Sequence, residues 1–266
     1  MLFRSLLISP QPWGNLYISK NHYAIELSKN NVVYFLSPII PDYKKSNRVE
    51  IKTVDGIQNL FIVEHGLFFS FQIKFHFRWL FEFLMKIQTN KILKSIDKKI
   101  DIVWSFDLGN YFPFSYFKNV PLKIFHPVDE PLNEDAIASA NNADMIFSVT
   151  QEILDKYKDN SAPKYFVNHG LSESFFEIKK RLENLNAGNI HVGLSGNLRR
   201  KDLDREVLLE IISKNQQVIF ECWGEFNLKG QATDKESHET DQFIYKLNSY
   251  SNVDRKSTRL NSSHTV

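Results

Sequence analysis

One stretch near the start of the chain decides the fold: LFRSLLISPQPWGNLYISKNHYAIELSKNNVVYFLSP, Leu2 to Pro38. Leu2 to Ser9 is a short apolar run that predicts a buried strand, and Asn31 to Pro38 predicts a second one. Between them, Ile18 to Asn30 has the apolar spacing of a helix. A strand, a helix and a second strand of these lengths predict parallel pairing through a right-handed crossover.

The alternation of strands and helices continues along the chain and is interrupted once. Further strands are predicted at Asp101 to Asp107, Leu122 to Pro127, Ala143 to Thr150 and Lys164 to Gly170. After a polar connector, Ser172 to Asn189, the alternation resumes with a strand at His191 to Asn197, a helix at Asp204 to Asn215 and a strand at Gln217 to Gly224. We therefore predict an α/β fold of two Rossmann-like, doubly wound domains, a first over residues 1–171 and a partial second over 190–253, joined by residues 172–189.

The last thirteen residues, Asp254 to Val266, do not continue this pattern. They read DRKSTRLNSSHTV, and the first eleven match the translation of a common sequencing-library adapter. We therefore expect residues 254–266 to be a non-native tail and the natural protein to continue past Val253. The tail also accounts for the formal net charge of +2, because the other residues carry equal numbers of basic and acidic side chains. A neutral body gives no electrostatic reason to expect nucleic-acid binding.

The composition is that of a globular protein, and its cysteine content fits a reducing compartment. The 266 residues are 42% hydrophobic, which is enough for two ordinary domains. The single cysteine, Cys222, excludes an internal disulfide and a zinc site built from several thiolates, so we expect a cytoplasmic protein. The apolar run at Leu2 to Ile8 is too short for a signal peptide or a spanning helix.

Four sequence motifs together resemble those of a known family. They are SPQPWGNLYISKNHYAIELSKNN, IFHPVDE, NNADMIFSVTQEILDKY followed by FVNHGLSESFF, and VGLSGNLRRKDLDREVLLEI. With them the chain resembles bacterial two-domain glycosyltransferases of the GT-B fold, in the broad group around family 4 and the membrane-associated glucuronosyltransferases of exopolysaccharide synthesis. The resemblance implies an acceptor-side first domain and a second domain that binds a nucleotide-diphosphate sugar, with no separate cofactor and no metal. His169, inserted between Asn168 and Gly170, departs from the family pattern.

The motif GNLRRKD, Gly196 to Asp202, is the candidate donor-binding loop. Sugar transfer from a nucleotide diphosphate requires neutralisation of the charge that grows on the leaving group. A glycine lets the backbone approach a phosphate, and cations beside a helix start supply the neutralisation. The candidate donor-binding residues are Gly196, Asn197, Arg199, Arg200 and Lys201. The alternative is a solvated charge run at a helix start that Asp202 or Asp204 caps.

The motif IFHPVDE, Ile124 to Glu130, holds the candidate catalytic residues His126 and Asp129. Both follow a predicted strand, at the end where open parallel sheets bind ligands. Asp129 could deprotonate an acceptor hydroxyl, as an inverting transferase requires. A retaining enzyme would instead use His126 or the backbone to hold the donor sugar. The alternative is that these polar residues only solvate the loop and cap the helix after Pro131.

The loop between the first strand and the first helix holds Trp13, Gly14 and Asn15. The resemblance implies that this loop lines the cleft near the acceptor. The alternative is local: Gly14 makes the turn, and Asn15 caps the helix.

The segment Leu67 to Lys99 is unusually rich in aromatic and basic residues. Aromatic or aliphatic residues alternate with polar ones from Phe69 to Trp79, which is the period of a strand, and helical spacing begins at Leu80. Such a segment suits peripheral contact with a membrane that carries a lipid-linked acceptor. The alternative is a buried element that packs on the sheet.

Together these features predict a glycosyltransferase that moves a sugar from a nucleotide-diphosphate donor to a cell-surface glycan or a lipid-linked acceptor, in the cytoplasm or at the inner face of the membrane. Two alternatives stay open: a nucleotide-sugar epimerase of the same fold, and a non-catalytic sugar- or lipid-binding partner subunit. The resemblance implies further donor contacts past Val253, so we expect the chain as written to be inactive. We also expect some apolar side chains to lack packing partners: Val218, Phe220, Cys222, Phe243 and Tyr245.

Overall fold

The computed structural model describes residues 2–14, 18–39, 48–170, 190–200, 203–224 and 238–257. The chain divides into two compact units, residues 1–172 and residues 173–265. Among the described residues, each unit is built on a sheet of its own, with eight strands in the first and three in the second.

The first unit contains the strands β1 (Arg4–Ile8), β2 (Val32–Leu36), β3 (Val49–Val54), β4 (Ile57–His65), β5 (Ile102–Ser105), β6 (Leu122–Phe125), β7 (Met145–Ser148) and β8 (Lys164–Phe166). They form one sheet in the order β3-β4-β2-β1-β5-β6-β7-β8. All neighbouring strands are parallel except β3 and β4, which pair antiparallel at one edge. The crossover unit predicted from Leu2 to Pro38 is present, because β1 pairs with β2 in parallel.

Helices cover both faces of this sheet. They are α1 (Ser19–Ser28), α2 (Ile73–His76), α3 (Arg78–Ile96), α4 (Glu134–Ala138) and α5 (Gln151–Lys156). Leu6 and Ile8 belong to one core cluster with Met85 of α3, whereas Leu7 belongs to another with Ala24 of α1. Successive residues of β1 therefore face opposite helical layers, which explains why the strand is a continuous apolar run.

The strand order reverses direction between β1 and β5, which are neighbours in the sheet. The chain leaves β1 toward β2 on one side and leaves β5 toward β6 on the other. The loops that follow these two strands therefore diverge, and open α/β sheets bind ligands in the crevice that such divergence creates.

Most of the segment Leu67 to Lys99 is helical, over Ile73–His76 and Arg78–Ile96, and the strand that the alternation from Phe69 to Trp79 predicts does not form. The chain leaves the sheet at His65, and α2 and α3 follow. The buried residues of α3 recur every three or four positions: Phe81, Met85, Gln88, Thr89, Ile92 and Ile96. Among the helices that the structure describes, including the 19-residue α3, none is long and apolar enough to cross a membrane.

The second unit contains β9 (Ile190–Ser195), α6 (Arg205–Lys214), β10 (Val218–Gly224), α7 (His238–Asn248) and β11 (Val253–Ser257). Its strands are parallel, in the order β11-β10-β9. The first four residues of the segment predicted to be a non-native tail belong to β11 and pair with β10.

The packing expected for the second unit is corrected by the structure. Its core cluster contains four of the five side chains expected to lack partners: Val218, Phe220, Cys222 and Phe243. These side chains are buried because Ile212 of α6 and Leu247 of α7 belong to the same cluster. Tyr245 alone of the five is exposed, at 80%.

Candidate functional site

His126 lies directly after β6, at the carboxyl end of the strand, and is fully buried. Four aromatic side chains enclose its ring, with centroid distances of 4.9 Å to Phe106, 5.3 Å to Tyr23, 5.9 Å to Trp104 and 5.9 Å to Phe147. The indole Nε1–H of Trp104 donates a hydrogen bond to Nδ1 of His126 at 3.3 Å. The ring is therefore fixed in one orientation.

The surroundings of His126 determine its protonation state. Burial lowers the pKa of the imidazole to about 4, and the nearby positive charges of His169 and Lys20 act in the same direction. The ring is thus neutral at pH 7, and because Nδ1 accepts from Trp104, the proton resides on Nε2. Nε2 is buried and makes no hydrogen bond within the part of the chain that the structure describes. An unsatisfied buried donor costs about 1–3 kcal/mol, which a ligand oxygen would recover.

Lys20, in the first turn of α1, is buried and lies within electrostatic reach of both His126 and Asp129. Its Nζ donates to Oε1 of Gln11 at 2.7 Å. Burial lowers the pKa of Lys20, and the negative charge of Asp129 opposes that effect. Asp129 itself is exposed on the loop after β6. The two predicted catalytic residues therefore share one region with a buried cation that the sequence analysis did not identify.

His169 brings a fourth segment to this region. Its Nδ1 lies 3.3 Å from the hydroxyl Oγ of Ser19, the first residue of α1. The loop after β1, the start of α1, the loop after β6 and the segment after β8 thus meet at one edge of the sheet.

The predicted acceptor loop lies beside α1. Trp13 is half-buried, and its ring meets that of Phe35 edge-on at 5.0 Å. Gly14 is exposed and a side chain there would contact nothing within 4 Å, so the turn does not require glycine. Asn15 lies outside the described residues. The helix cap is not at Asn15, because α1 begins at Ser19 with Ile18 in the cap position.

The predicted donor loop follows β9 in the second unit. Gly196 has φ of +142°, a backbone conformation that favours glycine, and its N–H donates to the carbonyl of Trp223 at 2.9 Å. The side-chain oxygen of Asn197 accepts from the backbone N–H of Arg199 at 2.9 Å. Arg200 is exposed, and Lys201 lies outside the described residues.

Arg199 differs from the sequence prediction, because its side chain is 7% exposed and is engaged within the protein. Its guanidinium donates to Oδ1 of Asp241 in α7 at 2.9 Å. A second arginine, Arg205, donates to the backbone carbonyl of Arg199 at 3.1 Å and to the hydroxyl of Thr240 at 3.0 Å. Arg199 thus joins the loop to α7 and fixes the position of the loop backbone.

Across the described ranges, no group of three or more His, Cys, Asp or Glu side chains is arranged to hold a metal ion.

No protein-family model and no curated protein matches the chain. Solved structures do: a sucrose-phosphate synthase from Thermosynechococcus elongatus has a TM-score of 0.66 at 11% identity, over 96% of this chain and 70% of that one. A UDP-forming α,α-trehalose-phosphate synthase from Burkholderia xenovorans, in complex with glucose-6-phosphate, has a TM-score of 0.59 at 8% identity. That match covers 92% of this chain and 69% of the synthase. The HepE protein of Anabaena, in complex with UDP and glucose, has a TM-score of 0.52 at 14% identity, and the match covers 96% of this chain and 69% of HepE. These likenesses show the fold, and the predicted α/β fold of the GT-B class is confirmed.

Proposed function

We propose that the protein is a glycosyltransferase that uses a nucleotide-diphosphate sugar as its donor. Among the proteins of similar fold, one is described with UDP and glucose and another as UDP-forming, which supports this proposal. The observation that carries it is the buried, neutral Nε2–H of His126 at the carboxyl edge of a parallel sheet. A sugar is uncharged and rich in hydroxyl oxygens, so a neutral donor that bonds to none of the described residues is a suitable contact for it.

The proposed reaction forms one bond and breaks another. The acceptor oxygen bonds to the anomeric carbon of the donor sugar, while the bond from this carbon to the diphosphate breaks. The nucleoside diphosphate leaves with the bonding electrons, and the acceptor proton passes to a base. In an inverting reaction Asp129 is that base, since it is an exposed carboxylate whose charge acts on Lys20. In a retaining reaction His126 or its backbone holds the donor sugar.

We assign donor binding in the second unit to the Gly196–Arg200 loop and to Lys201. The positive φ of Gly196 and the absence of a side chain leave room for a phosphate near the backbone. The exposed Arg200 is suited to contact the diphosphate directly. Arg199 acts as a positioning residue, because Asp241 already engages its guanidinium.

The acceptor that we propose is a cell-surface glycan or a lipid-linked glycan, reached at the cytoplasmic face of a membrane. Four exposed aromatic side chains, here called the aromatic surface, support contact with lipid: Phe75 at 73%, Phe77 at 56%, Trp79 at 70% and Phe83 at 57%. The surrounding residues 73–99 carry seven lysines and arginines against only Glu82 and Asp97. Exposed aromatics with a local positive charge suit an anionic lipid surface.

Calorimetry on the whole gene product with a panel of UDP-, GDP- and dTDP-sugars tests the proposed function. We expect one donor to bind, and we expect His126→Phe, which keeps an aromatic ring in the cage, to weaken binding at least tenfold. His76→Ala is the matched control, because His76 is exposed on α2. Failure of every nucleotide sugar to bind, or equal binding by His126→Phe, would contradict the proposal. Turnover of the donor sugar without an acceptor would favour the epimerase, and binding without any turnover would favour a non-catalytic subunit.

A further inference from the structure

A cavity of about 500 Å³ lies at the carboxyl edge of the first sheet, beyond the ends of β1, β2, β4 and β5. Its walls are mostly apolar: Ile8, Pro10, Pro38, Ile39, Leu67, Phe69, Phe71 and Phe112. This volume falls within the range of small-molecule sites, about 300–1,000 Å³. The cavity adjoins the crevice between β1 and β5, and none of the predicted candidate residues that the structure describes lines it.

Asp107 lies two residues after the end of β5 and is the charged side chain among the described residues of the cavity wall. It is 6% exposed, and its carboxylate accepts hydrogen bonds from the backbone N–H groups of Gly109 at 2.8 Å and Tyr111 at 2.9 Å. Burial raises its pKa, while these two bonds and the charge of Lys74 oppose the shift. A carboxylate has about four acceptor positions, so two stay available to a ligand.

An apolar path connects the cavity with the surface of the protein. Phe71 lines the cavity, and its ring centroid lies 6.0 Å from that of Phe75. Phe75 is 73% exposed and belongs to the aromatic surface. A chain that left the cavity past these two rings would therefore stay in contact with apolar groups as far as the solvent boundary.

We propose that this cavity binds the acceptor, and that the acceptor is an amphipathic lipid. A hydroxyl of its polar head donates to Asp107, and its hydrocarbon chain leaves past Phe71 and Phe75 toward a membrane in contact with the aromatic surface. The term acceptor rests on the proposed function, but the binding of an amphipathic molecule does not. The positive charge of residues 73–99 favours an anionic lipid surface over a second copy of this chain, whose net charge is +2, as the partner of the aromatic surface.

Binding of n-octyl β-D-glucoside, below its micelle concentration and without any nucleotide sugar, tests this inference separately from the proposed function. We expect saturable 1:1 binding by calorimetry, with glucose and 1-octanol each at least tenfold weaker. Phe71→Ala and Asp107→Asn should each weaken binding about tenfold. Leu132→Ala is the matched control, because Leu132 is 88% exposed and does not line the cavity.

Asp107 also holds two backbone N–H groups, so its replacement could disturb the fold. Ser70→Trp gives an independent test, because Ser70 is an exposed residue of the cavity wall and a large side chain there fills the opening. It should abolish octyl glucoside binding and leave the thermal unfolding midpoint within a few degrees. Octyl glucoside that binds no more tightly than glucose, or that binds folded Ser70→Trp and Phe71→Ala normally, would overturn the inference. If the protein sediments as a dimer and Trp79→Ser disrupts that dimer, the aromatic surface is covered by a second copy. This result would overturn the proposal that the ligand chain leaves the cavity toward a membrane.

Discussion

At the scale of single residues, the imidazole of His126 couples the stability of the first unit to pH. Its pKa in the folded chain is about 4, below the ordinary value of 6.5, because burial disfavours the charged ring. The unfolded chain therefore binds the proton more readily than the folded one. The free energy of unfolding therefore has its full value with respect to His126 above pH 6.5, and it decreases as the pH falls from 6.5 toward 4.

Protonation of His126 should lower the free energy of unfolding by about 3 kcal/mol between pH 7 and pH 4. The variant His126→Phe has no such group, so its free energy of unfolding should decrease by that much less. Urea unfolding of both chains between pH 7 and pH 4 measures it, and the difference between them cancels the contributions of His65 and Asp107. His76→Ala should keep the full dependence, since this side chain is exposed. Parallel curves for His126→Phe and the original chain would show that His126 is not buried in solution.

Arg199 and Arg200 are neighbours in sequence, but we expect their replacement to have different effects. Arg199→Ala removes a buried guanidinium bound to Asp241 and should lower the stability of the second unit by about 1–3 kcal/mol. Arg200→Ala should change stability by less than about 0.5 kcal/mol but weaken nucleotide-sugar binding, because the side chain is exposed. Denaturant unfolding and calorimetry on both variants separate the roles. Equal stability losses in the two variants would contradict the assignment.

The sequence identifies some of these residues and gives no sign of others. His126 was identified because a polar residue after a buried strand lies at the ligand-binding edge of a parallel sheet. Asp107 ends the predicted strand Asp101 to Asp107 and could have been identified by the same rule. Lys20 gives no such sign, because a lysine in a helix is ordinarily exposed, and only the tertiary fold shows that it is buried beside Gln11.

At the scale of secondary-structure elements, the junction of α2 and α3 presents apolar side chains to solvent. Trp79 and Phe83 are one turn apart on α3, and Ile87, one turn further, is 41% exposed. Lys86 and Lys94 are also exposed on this helix. The outer face of α3 thus combines an apolar row with positive charge, as expected of a helix that contacts a membrane surface.

Phe75→Ser combined with Trp79→Ser should lower binding to phosphatidylglycerol vesicles at least tenfold, because each large aromatic contributes about 1.5–3 kcal/mol when buried. Co-sedimentation with vesicles measures the bound fraction. Leu132→Ser is the control, since it removes an exposed apolar residue outside the aromatic surface. If the double variant sediments as well as the original chain, the aromatic surface does not bind lipid.

Two elements show where a sequence pattern succeeds and where it fails. The buried parallel strands are predictable because each is an apolar run between turn residues. The antiparallel β3–β4 pair was not predicted, although Asp55-Gly56 between two alternating runs is a strong hairpin signal and Gly56 has φ of +74°. The segment from Phe69 to Trp79 alternates like a strand but belongs to neither sheet: Phe69 and Phe71 pack in the core, and α2 and α3 begin at Ile73 and Arg78.

At the scale of the whole molecule, each unit has a separate core and its own candidate residues. The first unit holds His126, Asp129 and the cavity with Asp107, and the second holds the Gly196–Arg200 loop. The chain spans about 70% of the length of the three solved structures compared with it. Activity is therefore best measured on the whole gene product, not on one unit alone.

Acceptor-dependent transfer of a labelled sugar by the whole gene product tests the central claim most directly. The nucleotide sugar that binds in calorimetry is supplied with label in the sugar, and octyl glucoside and membrane lipid extract are supplied as acceptors. We predict a labelled product that requires both donor and acceptor, at a rate at least tenfold lower with His126→Phe and unchanged with His76→Ala. Absence of a labelled acceptor product while the donor is bound, or label that appears only in an isomerised donor sugar, would contradict the account.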